Sequence, residues 1–105
     1  RVVVENGVAK FYFASGKAEL AGGAADALVD VVKGVAAGKK AVISGYHDAT
    51  GDPAVNAELA KQRALTVRDT LKQIGVPDDK IELKKPEQIN AGSAEDARRV
   101  EVKLM

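Results

Sequence analysis

Residues 45–64 read GYHDATGDPAVNAELAKQRA, and this stretch joins the end of an apolar strand to the start of a helix. The strand is predicted from the apolar, β-branched residues between Ala41 and Tyr46. The helix is predicted to start at Asp52-Pro53, because aspartate caps free backbone amides and proline suits the first helical position. The stretch therefore predicts a strand, a polar loop and a helix in succession.

The predicted helix has one apolar face, and a charged residue lies at the margin of that face. At about 100° per residue, the side chains that should meet the sheet are Ala60, Ala64, Val67, Leu71 and Ile74. Asn56 falls inside this apolar sector, and Arg63 falls about 20° outside its edge. Because an unpaired charge beside a core costs several kcal/mol, we expect Arg63 to have a carboxylate partner.

Asp48 is the best candidate for that partner. The residues from Ala49 to Asp52 can rise roughly 13 Å beyond the strand end, and ten helical residues then descend about 15 Å, which returns Arg63 to the level of Asp48. Such a pair can accept an ammonium group on one side and a carboxylate on the other, as in the binding of an amino-acid head group. A structural salt bridge, with Asn56 bonding to the loop backbone, is the alternative.

The residues before this stretch predict a hairpin and a first helix. Residues 2–4 and 8–13 read as two strands joined at Asn6-Gly7, a dipeptide that readily takes a type I′ turn. Apolar side chains at i, i+3, i+4 and i+7 from Leu28 predict a helix that ends at Gly38. With the strand that follows, these elements form a βαβ unit, for which a right-handed crossover is expected.

The residues after the second helix predict two more strands separated by a loop. Gly75-Val76-Pro77 should end the helix, and Ile81–Leu83 reads as a short strand. Residues 84–96 have the composition of a surface loop. Residues 98–104 alternate apolar and charged side chains, which predicts a half-buried strand with its charges on the exposed face.

Size and composition limit the possible classes of protein. With 105 residues, the chain is expected to form one domain, residues 1–105, and its start at Arg1 suggests a fragment of a longer protein. A net charge of +1 and few aromatic residues argue against nucleic acid as a ligand. No cysteine is present, so disulfide and thiolate chemistry are excluded.

Catalysis is the main rival to binding, and its signal is weak. His47, Asp48 and Asp52 could in principle bind a metal, or His47 could act as a general base. One histidine beside two carboxylates is a poor metal site, and no nucleophile pairs with it. We therefore expect no enzyme activity, no metal and no cofactor. His47 either lines the rim of the pocket or has a structural role.

A recurring set of residues gives the chain a family resemblance. The middle block reads Gly45-Tyr46-x-Asp48-x-x-Gly51, Asn56-x-x-Leu59 and Arg63-Ala64-x-x-Val67, preceded by Phe11-x-Phe13 and followed by Arg98-Arg99-Val100-Glu101. This pattern resembles the OmpA-like C-terminal domain, a module also found in the peptidoglycan-associated lipoprotein and the flagellar motor B protein. The resemblance covers nearly the whole chain from Lys10 onward.

The resemblance implies a fold and a function. The expected fold is a two-layer α/β (α+β) sandwich of βαβαββ order, with a mixed sheet, two main helices and an extra N-terminal hairpin strand. The expected function is non-catalytic binding of the diaminopimelate in the peptidoglycan stem peptide, in the periplasm of a Gram-negative bacterium. Asp48 would pair with the ammonium and Arg63 with the carboxylate, while Asn56, His47 and Arg98 are expected near the ligand.

The membrane and other envelope proteins are further candidate partners. The domain would tether the outer membrane or an envelope complex to the cell wall, and contact with the membrane would need a segment outside this sequence. The hairpin or the last strand could also offer an edge to an envelope protein. An interaction module with weak or lost peptidoglycan binding is therefore the alternative function.

Overall fold

The computed structural model describes residues 2–5, 8–13, 24–46, 52–84 and 98–105. In chain order, its elements are β1 (Val2–Glu5), β2 (Val8–Tyr12), α1 (Ala24–Ala36), β3 (Ala41–Gly45), α2 (Pro53–Gln73), a short 3-10 helix (Asp78–Lys80), β4 (Ile81–Leu83) and β5 (Arg99–Leu104). Each predicted helix and strand is thus present. The predicted turn at Asn6-Gly7 and most of the predicted loop 84–96 lie outside the described residues.

The strands form one mixed sheet in the order β1-β2-β5-β3-β4. β5 pairs antiparallel with both β2 and β3, and β3 pairs parallel with β4. β2 and β3 therefore run parallel to each other, with β5 inserted between them. The predicted βαβ unit is consequently split by the last strand of the chain, and the two-layer α+β fold is confirmed.

The core lies between the two helices and one face of the sheet. α1 packs against β1, β2 and β5, whereas α2 packs against β3 and β5. Apolar side chains from both layers fill the space between them, and the largest fully buried ones are Phe11, Leu28, Ile43, Leu71, Val67, Val100 and Val102. Their burial supplies the main free energy that holds the helices on the sheet.

The ends of α2 follow from local chemistry. At the N-terminus, an Asp52 carboxylate oxygen accepts a hydrogen bond of 2.9 Å from the Ala54 amide, as predicted for a helix cap. At the C-terminus, Ile74 has φ −94° and ψ 9°, and Gly75 takes a positive φ of 110°. The helix therefore ends at Gln73, and Ile74 is 38% exposed. The prediction that Ile74 meets the sheet is wrong, because the helical periodicity stops one residue before it.

Candidate functional site

Three neighbouring strands, β2, β5 and β3, bring their ends together at one end of the sheet. We call this end of the strands the site edge and define it by Phe13, Tyr46 and Arg98. β2 and β3 finish there, and β5, which runs antiparallel to both, begins there. The Phe13 amide donates a hydrogen bond of 2.8 Å to the Arg98 carbonyl, and the Tyr46 amide donates one of 2.9 Å to the Arg99 carbonyl. The ladder hydrogen bonds thus continue to the very end of the three strands.

Helix α2 passes directly over the end of β3. A Cβ atom added to Gly45 would lie only 2.6 Å from the Ala60 carbonyl oxygen, so glycine permits this close approach. Arg63 follows Ala60 by three residues, close to one helical turn. Because helical side chains tilt toward the helix N-terminus, the side chain of Arg63 extends back toward the site edge.

Arg63 is a buried cation beside an aromatic ring. Its exposed fraction is 2%, and its guanidinium carbon lies 5.4 Å from the centre of the Phe13 ring. Burial, and to a smaller extent the positive charge of Arg98, lowers the pKa of Arg63 from its ordinary value. The helical wheel places Arg63 just outside the apolar face of α2, and in the structure its side chain is buried; the carboxylate partner expected for it stays a prediction.

Arg98 is the second cation at the site edge. Its Nε donates a hydrogen bond of 3.2 Å to the Phe13 carbonyl oxygen, and its side chain is partly buried. Its charge acts on Arg63, as the pKa of the latter records. Two guanidinium groups around one phenylalanine create a positive local field that favours a carboxylate or another anion.

Of the other predicted site residues, the structure describes Asn56 and Asp52. Asn56 lies in the first turn of α2, one turn before Ala60 on the same helical face, and is half-buried. Asn56 therefore lies nearer the N-terminus of α2 than Ala60 does, and its predicted place near the ligand stays a prediction. His47 and Asp48 lie outside the described residues, so their predicted contacts stay predictions. Asp52 acts as the helix cap described above.

A second polar cluster lies on the face of the sheet opposite the helices, and the sequence did not predict it. Nε of Arg99 bonds to a Glu101 carboxylate oxygen at 2.6 Å, and the Arg99 guanidinium lies over the Tyr46 ring, 3.8 Å from its centre. Glu101 is only 7% exposed, so the prediction that the charged side chains of β5 lie on an exposed face is wrong at this residue. Glu101 lies in the central strand of the sheet, with Lys10 of β2 and Ser44 of β3 opposite it in the register. The i, i+2 spacing of Arg99 and Glu101 was the available signal.

Two kinds of feature are absent from the part of the chain that the structure describes. Within it, no three potential metal-ligating histidine, aspartate or glutamate side chains lie together. Neither α1 nor α2 combines the length and the apolar composition needed to cross a lipid bilayer.

The two-layer fold with a cationic site edge occurs in a known family of proteins. Residues 12–101 match the OmpA family, and the chain belongs to that family. A search of curated proteins gave no match. The family recognised from the motif residues is thereby confirmed.

Several solved structures have a similar fold. The peptidoglycan-associated lipoprotein from Burkholderia pseudomallei has a TM-score of 0.77 at 20% identity, over 91% of this chain and 89% of the lipoprotein chain. The periplasmic domain of Helicobacter pylori MotB has a TM-score of 0.69 at 15% identity, over 98% and 79%. The cell wall anchor of the T6SS from Pseudomonas aeruginosa has a TM-score of 0.67 at 20% identity, over 97% and 85%. At these identities the likeness establishes the fold.

Proposed function

We propose that the chain binds peptidoglycan without cutting it, through the diaminopimelate of the stem peptide, and tethers the outer membrane or an envelope complex to the cell wall. Two similar structures support the ligand class, since one is named a peptidoglycan-associated lipoprotein and another a cell wall anchor. Membership of the OmpA family is consistent with it. The specific head group is inferred from the chemistry of the site edge.

The observation that carries the proposal is the burial of Arg63 at the site edge. A guanidinium costs free energy when it is taken out of water, and hydrophobic residues of similar volume often serve stability equally well. Arg63 nevertheless stands on the face of α2 that packs against the sheet, with Phe13 at its side. A buried, pre-oriented guanidinium fits the recognition of a carboxylate, because its planar fork offers two parallel donors.

The path of the chain supports Asp48 as the second half of the clamp. Gly45 lies against Ala60, and Asp48 follows Gly45 by three residues, which span at most about 10 Å. Arg63 lies one helical turn after Ala60, and its side chain extends back toward the end of β3. The two groups of the clamp can therefore act on one ligand at the end of β3.

Diaminopimelate fits such a clamp better than other parts of peptidoglycan do. Its free end carries an ammonium and a carboxylate on one carbon, so Asp48 and Arg63 can each meet the opposite charge. Lysine, which takes the same place in other stem peptides, has the terminal ammonium but lacks the second carboxylate. Asn56, His47 and Arg98 are assigned to the surrounding contacts, and Arg98 adds positive charge beside the carboxylate.

Place and mode of action follow from this ligand. The domain would work in the periplasm, against the cell wall. Its action is binding alone, with no enzyme activity, metal or cofactor. Envelope proteins remain possible additional partners.

A pelleting experiment tests the proposal. The chain should sediment with purified diaminopimelate-type peptidoglycan, and both Arg63→Met and Asp48→Asn should lower the bound fraction at least about tenfold, since each removes one charged contact. Arg68→Met is the matched control, because it removes the same charge from a more exposed position on α2. Undiminished binding by the Arg63 and Asp48 variants would contradict the clamp. Absence of binding by the unaltered chain would contradict the function itself.

A further inference from the structure

The two edge strands of the sheet, β4 and β1, are built differently. β4, at one edge, has only three residues, carries Glu82 at its centre and is flanked by Lys80 and Lys84. Short strands and charged side chains are the usual protection of an edge against pairing with another chain. β1, at the other edge, reads Val2-Val3-Val4 before Glu5 and has no lysine, proline or bulge in its register with β2.

The alternation of hydrogen-bonded positions in the sheet shows which N–H and C=O groups of β1 point away from β2. Facing residues of an antiparallel pair alternate between hydrogen-bonded and non-hydrogen-bonded positions. Phe13 and Arg98 form a hydrogen-bonded position of the β2–β5 ladder, since the Phe13 amide donates to the Arg98 carbonyl at 2.8 Å. Lys10, an odd number of residues before Phe13, therefore directs its N–H and C=O to β1.

Lys10 faces Val3 in the register, so Val3 bonds to β2, as does Glu5 two residues further on. Val2 and Val4, on either side of Val3, direct their N–H and C=O away from β2. Among the described strands, none lies beyond β1. Val2 and Val4 thus present two donors and two acceptors along the outer side of this edge.

From this arrangement we propose that β1 pairs with β1 of a second copy of the domain, antiparallel and centred on Val3, to form a continuous ten-stranded sheet. The three valines are self-complementary, because Val2 of each copy would face Val4 of the other as a hydrogen-bonded pair. Val3 would face Val3 across the two-fold axis in a non-hydrogen-bonded pair. Such a symmetric arrangement closes on itself after two copies.

Burial of side chains favours the same pairing. Val4, which shares the helix-facing side of the sheet with its register partner Ala9, is 50% exposed, and Val29 on the adjoining helix α1 is 46% exposed. A second copy would extend the apolar layer past Val2 and Val4 and cover this surface. The three residues Val2–Val4 carry no charge, so no charge repulsion between them opposes the approach of a second copy.

The strand is short, which sets the strength of the association. Stable specific interfaces bury about 1,200–2,000 Å² in total, more than a strand of this length provides by itself. The pairing is therefore a weak one, favoured where copies are concentrated on a shared surface. β1 also lies before residues 12–101, the segment that matches the family, so its pairing is separate from the proposed ligand site.

Cysteine cross-linking tests the pairing directly, because the chain has no cysteine of its own. In the proposed dimer, the two copies of residue 3 have Cα atoms about 4.5 Å apart, within the range for a disulfide. The two copies of residue 4 are about 8 to 9 Å apart, which is too far. Under mild oxidation, Val3→Cys should form a disulfide-linked dimer at least about tenfold faster than Val4→Cys.

Random collision predicts the opposite order, since Val4 is the more exposed of the two side chains. Equal or faster cross-linking of Val4→Cys, or a monomeric Val3→Cys chain at the highest attainable concentration, would overturn the proposal. Adding Val4→Pro to Val3→Cys removes an outward amide while leaving the β1–β2 hydrogen bonds in place, so cross-linking should slow. Val4→Thr, which keeps the amide and the branched shape, is the control for this variant. The comparison of Val3→Cys with Val4→Cys does not depend on the proline variant.

Discussion

The guanidinium carbon of Arg63 lies 5.4 Å from the centre of the Phe13 ring, and both side chains are almost fully buried. The two residues come from different layers, Arg63 from the face of α2 that packs on the sheet and Phe13 from the end of β2. A cation held against an aromatic ring gains electrostatic attraction that partly offsets its desolvation. The pair thus fixes the guanidinium at the edge of the sheet where three strand ends meet.

Replacement of Arg63 by methionine should separate stability from binding. Burial lowers the pKa of Arg63, so the folded state disfavours its charge, and this cost persists at every pH below the folded-state pKa. Arginine stays charged over the accessible range, so the cost does not vary between about pH 5 and 9. The desolvation cost that is removed and the contacts that are lost oppose each other, so we expect Arg63→Met to change the free energy of unfolding by no more than about 1 kcal/mol, equally at both pH values.

Urea denaturation at two pH values measures this effect, with Arg68→Met as the surface control. A loss of about 3 kcal/mol or more would be the result of breaking a buried ion pair. That result would favour the structural salt bridge over the ligand clamp.

Phe13→Leu should weaken binding more than it weakens the fold. Leucine keeps most of the buried apolar volume at a cost of about 1 to 1.5 kcal/mol, whereas Phe13→Ala should cost about 3 to 5 kcal/mol. Leucine has no ring to hold the guanidinium, so the affinity for peptidoglycan should fall severalfold although the domain stays folded. Denaturation and pelleting of the same variant give the two values. Full retention of affinity would mean that the ring does not position Arg63.

Gly45→Ala should disturb the site through the backbone. The new Cβ would lie 2.6 Å from the Ala60 carbonyl oxygen, so α2 must move away from β3, at a cost of about 1 to 3 kcal/mol. Since Arg63 lies one turn further along, binding should weaken as well. Gly34→Ala is the matched control, because its Cβ meets only the flexible side chain of Leu104, and alanine favours the helix. Thermal unfolding of both variants checks the order of their effects, and an equal loss in the two would contradict the close helix–strand contact.

Arg99 and Glu101 should show strong coupling in a double-mutant cycle. Their side chains are 15% and 9% exposed, and the bonded atoms lie 2.6 Å apart. Glu101→Leu leaves the guanidinium without this carboxylate and should cost about 3 to 5 kcal/mol. Changing both residues, with Arg99→Met added, should recover most of that loss. A loss of stability in the double variant equal to the sum of the two single losses would show that the two side chains are not coupled.

The local structure of the chain was predictable because its signals are local. Asp52-Pro53 contains both a capping side chain and a fixed backbone angle, so the start of α2 follows from two residues. Gly75 likewise marks the end of the same helix, whose last residue was predicted as Gln73 or Ile74 and is Gln73. Ile74 was assigned to the core because apolar periodicity alone does not mark the point where backbone angles change.

The strand order and the second polar cluster depend on contacts between distant residues. Insertion of β5 between β2 and β3 brings Arg99 beside Tyr46, residues that are far apart in sequence. Alternation along β5 predicts which face each side chain takes, but the burial of Glu101 depends on the neighbouring strands. For Arg63, by contrast, the helical wheel was sufficient, since the sheet covers one side of a regular helix. The pairing of Arg63 with Asp48 stays a prediction.

Calorimetric titration with free meso-diaminopimelate, with Nα-acetyl-lysine amide as the matched ligand, tests the clamp most directly. Blocking both α groups leaves this ligand with the terminal ammonium group but without a carboxylate for Arg63, so the two ligands differ at the contact in question. We expect saturable binding of diaminopimelate, at least about tenfold weaker binding of the blocked lysine, and loss of this preference in Arg63→Met. Equal binding of the two ligands, or an unchanged preference in Arg63→Met, would contradict recognition of the head group by Arg63.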